Sequence, residues 1–254
     1  MPKISAETAS TTIPVDTDVF LTDESMTTTP ATKRKAWSTL MTSPVLRGTV
    51  NGWISANETW AYASATTITV PTGAAAKYYV GDRLTWTANS VVLYAYVIAV
   101  ADTVLTVAGN TVTNFTFSAN YYSTQVSPLL FPQWFAYTPT GISAANVTHT
   151  GRFSINGRMC TVQYHAAMTG AVTFTTMPTL PITASAGIIT TKGPCGVATT
   201  KAAGTITHNG LIPHVLASGT TLNLTTAADA NMSATVPGTW ANGDYIDAFV
   251  QYEI

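Results

Sequence analysis

An Asn-Gly pair between two runs of alternating apolar and polar residues constrains the fold of this chain more than any other feature. Asn156 and Gly157 separate residues 147–155 from residues 158–166, and both runs alternate as strands with one buried face do. Asn and Gly tolerate the positive φ angles of a type I′ turn, so the pair predicts a β-hairpin. Residues 131–141 hold four aromatic residues in seven positions and end in a turn, which marks the start of a β domain.

Composition extends this prediction to the whole chain of 254 residues. Charged residues make up only 9% of it, against about 25% in ordinary domains, and threonine supplies much of the remaining polarity. Threonine is β-branched and favours the half-buried setting of a strand, whereas few segments carry the residue mixture that helices prefer. We therefore expect an all-β protein with two β domains behind an extended N-terminal segment.

The N-terminal segment is expected to comprise residues 1–47. It is rich in Thr, Ser, Asp and Pro and has no sustained hydrophobic period, so it should be extended. A basic triplet at residues 33–35 is followed by apolar residues at helical spacing, which predicts one or two helical turns. The triplet is either a solvated tether or a contact to an acidic partner surface.

Residues 48–130 predict a small β-barrel or sandwich of about six strands, a shoulder domain. Apolar and polar residues alternate through 53–71, and Gly81 and Asp82 supply a turn before a further strand. Residues 90–100 are almost continuously apolar. Their β-branched and Tyr content favours a strand buried on both faces over a helix.

Residues 131–254 predict a C-terminal head domain, an antiparallel β-sandwich of the jelly-roll kind. After the Asn-Gly hairpin the chain shows evenly spaced short strands separated by polar turns. These strands are expected at residues 171–176, 177–182, 186–191, 196–199, 205–209, 212–216, 221–225 and 245–252.

The titratable residues do not assemble into a catalytic pattern. Glycoside hydrolysis needs two carboxylates about 5 to 9.5 Å apart, and the acids after residue 131 are few and scattered: Asp229, Asp244, Asp247 and Glu253. The histidines are equally dispersed, at His149, His165, His208 and His214. No nucleophile elbow, phosphate-binding loop or metal-ligand spacing is found. We expect no enzymatic activity, no metal and no cofactor.

Charge and apolar run length limit the classes of partner that the chain is expected to bind. The formal net charge is −1, without a basic face, which argues against nucleic acid. No apolar run reaches the length of a membrane span and no signal peptide is recognised, so synthesis in a cytoplasm without membrane insertion is expected. Low charge and apolar strand edges argue for a tight oligomer. Cys160 and Cys195 are expected to be buried thiols, with a disulfide left open.

Aromatic residues near domain joints are the candidates for ligand binding. β-Sandwiches recognise glycans or proteins with loop aromatics and hydroxyls on a rigid frame. The candidates are Tyr121, Tyr122, Trp240 and Tyr245. The alternative for each is packing in a core or between subunits.

Several stretches resemble virion fibre proteins of tailed bacteriophages, a family of tail fibres, head fibres and receptor-binding appendages. Residues 13–23 and 32–40 are similar to the N-terminal segments of such proteins. Residues 51–84 and 121–139 resemble a block found in tail-fibre and head-fibre proteins, and residues 151–158 and 238–246 resemble fibre heads.

This resemblance implies a homotrimer located in the virion. It implies that residues 1–47 attach to another virion protein, and the residues expected to do so are Val15, Val19, Phe20, Leu21, Lys33, Arg34, Lys35 and Trp37. The expected function is adhesion to a host-surface glycan or protein. The alternatives are a head fibre or capsid decoration with a purely structural role and, third, a depolymerase of surface glycans.

Overall fold

A computed structural model describes residues 51–142, 145–172, 176–188, 195–202 and 205–254, together with the backbone of two strands nearer the N-terminus. The chain divides into two compact units, Met1–Ile54 and Ser55–Ile254. From Ile54 to Ile254 the only helix in the described residues is a single 3₁₀ turn, Ala74–Ala76, and the remaining regular elements are strands. The prediction of an all-β protein is therefore confirmed.

The first unit contains one described hairpin. Strand β1 (Val19–Asp23) pairs antiparallel with β2 (Thr32–Ala36), and Val19 lies opposite Ala36. The basic triplet is thus part of a strand, and the helical turns predicted there are wrong for residues 32–36, because their backbone groups pair with β1. Of the residues expected to attach to a partner, Val15 and Trp37 lie outside the described residues.

A first seven-stranded antiparallel sheet has the order β3-β9-β6-β7-β8-β5-β4. Its strands are β3 (Ile54–Ser55), β4 (Ala61–Ser64), β5 (Thr67–Thr69), β6 (Arg83–Ala88), β7 (Val91–Ala101), β8 (Val104–Gly109) and β9 (Phe117–Ser123). One hydrophobic core lies against it and includes Trp60, Tyr78, Leu84 and Trp86.

A second seven-stranded antiparallel sheet has the order β10-β11-β12-β16-β13-β14-β15. Its strands are β10 (Phe135–Tyr137), β11 (Val147–Asn156), β12 (Met159–Met168), β13 (Gly196–Ala202), β14 (Thr205–His214), β15 (Asn223–Thr225) and β16 (Tyr245–Glu253). The two sheets are consistent with a β-sandwich architecture. Both cysteines are free thiols, Cys160 buried and Cys195 half-buried.

The β11–β12 hairpin is where the sequence predicted it, but its turn is displaced by one residue. Asn156 pairs with Met159, so the two loop residues are Gly157 and Arg158. Gly157 has a φ of 58°, which places glycine at the first central position, as in a type II′ turn. Asn156 closes the ladder and does not enter the turn.

Strand β7 differs from the expectation of burial on both faces. Only its centre, residues 95–97, is fully buried, while Val91 and Val92 are 55% and 51% exposed. The first residues of β7 pair with β6, but the ladder to β8 begins only at Ala95, opposite Gly109. The start of β7 therefore projects beyond β8 as an edge, and its apolar side chains meet solvent.

The aromatic stretch that precedes the hairpin lies where the two sheets of the second unit meet. Phe131 contacts Tyr96 of the first sheet with ring centroids 4.9 Å apart, and Phe135 contacts the same tyrosine at 5.5 Å. Phe135 also contacts Phe153 of β11 at 5.9 Å. Edge-to-face and tilted contacts of this kind add to the burial of apolar area, so this aromatic cluster helps to hold the sheets together.

Candidate functional site

The outer face of the second sheet presents a regular array of polar side chains. Strands β12 and β16 alternate strictly, with residues 160, 162, 164, 166 and 168 and residues 246, 248, 250 and 252 buried in the core. Their intervening side chains therefore point outward, because successive residues of a strand face opposite sides of the sheet. We call this side the outer face.

Cross-strand pairing orders the outer face into three rows. The His165 row contains Thr150, His165, Asp247 and Thr199; the Gln163 row contains Arg152, Gln163, Phe249 and Val197; the Thr161 row contains Ser154, Thr161 and Gln251. Directly opposed side chains on one face lie within contact distance of each other. Each row is thus a continuous strip across neighbouring strands.

Each row contains a polar contact between strands. His165 donates from Nδ1 to Asp247 Oδ1 at 2.7 Å, and both side chains remain about half exposed, 44% and 54%. Arg152 Nε donates to Gln163 Oε1 at 2.6 Å. Gln251 Nε2 donates to Thr161 Oγ1 at 3.1 Å. These contacts fix the orientation of the side chains, which is the condition for selective recognition of a ligand.

Apolar groups lie beside these polar contacts. Phe249 is 39% exposed and its neighbour Val197 is 58% exposed. Together with the His165 and Gln163 rows they line an open groove with a volume of about 550 Å³. The guanidinium of Arg152 at one side of the groove lies 4.8 Å from the ring of Trp134, a cation–π contact.

The groove combines several kinds of polar group with one aromatic ring. It offers amide, imidazole, guanidinium and hydroxyl groups next to an aromatic ring, and of its described lining residues Asp247 alone carries a carboxylate. Acid-base cleavage of a glycosidic bond uses two carboxylates. Within the described ranges no group of three or more His, Cys, Asp or Glu side chains is placed to hold a metal ion.

The four predicted ligand-binding aromatics lie apart from one another. Tyr245 belongs to the outer face, with its ring 6.4 Å from that of His165. Tyr122 packs at 5.3 Å against Tyr78 beside the first core, and Tyr121 lines a separate cavity of about 260 Å³. Trp240 is 1% exposed and donates from Nε1 to the carbonyl of Ser233 at 2.8 Å, so its ring is a core element that a surface ligand does not reach.

Of the residues expected to attach to a virion partner, the structure describes six, and of these only the backbone. Val19, Phe20 and Leu21 lie in β1, and Lys33, Arg34 and Lys35 lie in β2, with Phe20 opposite Lys35. The hairpin therefore places the apolar residues of β1 opposite the basic residues of β2. Attachment through them remains a prediction.

Several residues of the groove were missed by sequence reasoning. Arg152, Gln163, Val197 and Phe249 were not singled out, and His165 was treated as an isolated histidine. Their alternation with buried residues was visible in the sequence at 159–166 and 245–252. That signal identifies outward side chains but does not tell which strands lie next to each other.

Comparison with known proteins adds no relative. No family model, no curated protein and no solved structure matches the chain. No helix in the described residues is both long and apolar enough to cross a membrane.

Proposed function

We propose that this chain is a phage virion protein that adheres to a host-surface saccharide through the groove on its outer face. The observation that carries the proposal is the juxtaposition of fixed polar side chains and an exposed aromatic ring in the Gln163 row. Arg152 and Gln163 are held by their mutual hydrogen bond, and Phe249 lies directly opposite Gln163.

A saccharide suits this combination of groups. Sugars present hydroxyls to amide and guanidinium donors and apolar C–H faces to aromatic rings, and the groove supplies both within one row. Arg152 Nε donates to the side-chain oxygen Oε1 of Gln163. The side-chain nitrogen Nε2 of Gln163 therefore serves as a donor to the ligand. An open groove on a rigid sheet also admits a chain of sugar units without a large rearrangement.

The proposal includes assembly as a homotrimer with residues 1–47 bound to another virion protein. Low charge supports assembly, and so do exposed apolar side chains outside the groove, Val91 and Val92 on β7 and Leu129 and Leu130 in the loop before β10. Light scattering of the full chain across a dilution series should give three times the mass of one 26.8 kDa chain. A monomer mass at every concentration would remove the trimer from the proposal.

The groove is tested by binding of the full chain to an array of bacterial surface polysaccharides. Phe249→Ala removes the ring from the groove, and it should lower affinity at least about tenfold, as expected for loss of a stacking contact at a hot spot. Phe115→Ala is the matched control, because Phe115 is 50% exposed and does not line the groove.

Three outcomes distinguish the candidate functions. Loss of binding in Phe249→Ala alone supports adhesion through the groove. Equal binding of both variants places recognition elsewhere on the chain. If the unaltered chain binds no polysaccharide and no host cell, the purely structural role as a head fibre or capsid decoration replaces adhesion.

A further inference from the structure

A buried arginine lies between the two sheets of the second unit. Arg83 begins β6 and is 3% exposed. Its Nη1 donates to the carbonyl of Gly81 at 2.8 Å, and its Nη2 donates to the carbonyl of Ile155 in β11 at 3.1 Å. The guanidinium carbon also lies 5.4 Å from the ring centre of Tyr96. These contacts hold the guanidinium in one orientation.

The charge of Arg83 is only partly compensated. Its Nε is buried and has no hydrogen-bond partner among the described residues, and no described carboxylate forms an ion pair with it. Asp82 is also buried but accepts the backbone N–H of Tyr79 at 2.8 Å. Burial lowers the pKa of Arg83, yet a guanidinium stays protonated in proteins. The charge of Asp82 offsets part of this cost, but a buried cation without a carboxylate in direct contact is still costly.

Arg83 lines a cleft with a volume of about 580 Å³. Arg83, Tyr96 and Ile155 are buried and form its inner end, whereas Val126 and Met159 are 58% and 43% exposed and form its mouth. The walls between them carry amide, hydroxyl and aromatic groups: Phe131, Gln133, Trp134, Ser154, Asn156, Thr161 and Gln251.

The cleft continues the groove described above. Thr161 and Gln251 line the cleft and form the row next to Gln163 and Phe249. Along β12, Thr161 is four residues from His165, which corresponds to about 14 Å in a strand. Trp134 lines the cleft while its ring contacts Arg152 of the groove. One extended ligand can therefore occupy both sites.

We propose that the cleft binds the carboxylate of an acidic sugar unit, with Arg83 as its counter-ion. A carboxylate at the inner end lies beside the guanidinium of Arg83 and compensates its charge, and arginine favours carboxylate partners. The aromatic and amide walls contact the sugar ring. This inference rests on the proposed adhesion to saccharides and narrows the ligand to acidic ones.

The direct test observes the arginine Nε–H signals of the full chain by NMR. The chain has only five arginines, so the Arg83 signal can be assigned by substitution. Titration with glucuronate should shift the Arg83 signal until it saturates, while glucose, which lacks the carboxylate, should leave it unchanged. No shift with glucuronate, or equal shifts with both sugars, would overturn the proposal. Tighter binding of inorganic phosphate than of glucuronate would also overturn it, because the cleft would then select phosphate.

Charge variants test the cleft without removing Arg83. Asn156→Asp adds a negative charge at a residue that lines the cleft, and should weaken glucuronate binding roughly threefold or more by repulsion. Asn57→Asp adds the same charge at an exposed residue outside the cleft and should change nothing. Equal affinity in both variants would contradict binding in the cleft. Arg83→Met, used only if its amide spectrum shows a folded chain, should abolish glucuronate binding.

The groove variant separates this inference from the proposed function. In Phe249→Ala, a lost affinity for polysaccharide with an unchanged Arg83 response to glucuronate supports both sites. Polysaccharide binding that depends on Phe249 while the Arg83 signal never moves leaves adhesion standing and removes the cleft. A saturable Arg83 response without any polysaccharide binding removes adhesion and leaves a site for small acidic sugars.

Discussion

Gly81 and Gly157 approach so closely that a Cβ atom on Gly81 would overlap the carbonyl group of Gly157. Gly81 precedes β6 of the first sheet, and Gly157 forms the turn between β11 and β12 of the second. The Gly81 carbonyl also accepts the hydrogen bond from Arg83, which reaches Ile155 at the same place. Backbone contact between two glycines therefore sets how near the two sheets come beside the cleft.

Gly81→Ala should destabilise the chain by about 2–4 kcal/mol. Two effects add: Gly81 has a φ of 95°, which disfavours a side chain, and the new methyl group meets backbone that cannot rotate away. Denaturant unfolding of the purified chain measures the loss.

Gly73→Ala is the control for that substitution. Gly73 has a nearly equal φ of 90°, but nothing lies within 4 Å of the position its Cβ would take. It should cost only the backbone strain, about 1–2 kcal/mol. Equal losses for Gly73→Ala and Gly81→Ala would show that the approach of Gly157 has no energetic consequence.

Glu58 should give the chain a stability that depends on acid pH. Burial of Glu58 raises the pKa of its carboxyl, but hydrogen bonds from Lys77, Tyr78 and Trp60 outweigh that effect and hold the pKa below the ordinary value of 4.5. A pKa that is lowered on folding contributes stability above the unfolded value, and this contribution is lost as the pH falls through the folded value.

Glu58→Gln tests this contribution by unfolding at about pH 6 and about pH 3. The substitution should cost about 1–3 kcal/mol at the higher pH, because Lys77 loses its ion pair at 2.5 Å. The difference from the unaltered chain should shrink at the lower pH. Glu253→Gln is the control: Glu253 is 44% exposed and 3.7 Å from Arg158, so it should cost less than about 0.5 kcal/mol. A Glu58→Gln deficit that is equal at both pH values would contradict the argument.

The two cysteines should react slowly in the native chain. Burial raises the pKa of the Cys160 thiol to about 12 and that of the Cys195 thiol to about 11. Because the thiolate is the reactive species, a thiol reagent at neutral pH should label Cys195 slowly and Cys160 only after unfolding.

Labelling in denaturant without reductant provides the control for the cysteines. Two thiols should then react per chain, since both are free in the structure. A single reactive equivalent or none would indicate a disulfide. Rapid labelling of Cys160 in the native chain would contradict its burial.

Two central strands of the second sheet were readable from the sequence, whereas their neighbours were not. Alternation at 159–166 and 245–252 indicates the two strands that became β12 and β16. Nothing local tells that β16 is inserted between β12 and β13. The contact of His165 with Asp247 spans 82 residues of sequence, so the groove exists only once that strand order is known.

The prediction from local composition also overestimated how much of strand β7 is buried. The apolar run at the start of β7 is typical of a central strand, but whether a strand is covered depends on the length of its neighbours, and β8 ends before it reaches Val91. The same limit applies to the aromatics. Trp240 and Tyr245 both flank a polar turn in the sequence, yet Trp240 lies in the core and Tyr245 lies on the outer face.

Two buried tryptophans should respond differently to replacement by phenylalanine. Trp240 and Trp86 are 1% and 0% exposed, so both substitutions remove a similar buried volume. Trp240 donates to the Ser233 carbonyl, whereas Nε1 of Trp86 is buried without a hydrogen-bond partner in the described part of the chain. Trp240→Phe loses a hydrogen bond, and Trp86→Phe relieves an unpaired donor. In denaturant unfolding, Trp240→Phe should therefore lower the free energy of unfolding by about 2 kcal/mol more than Trp86→Phe does. Equal decreases for the two variants would mean that the indole nitrogen of Trp86 has a hydrogen-bond partner in solution.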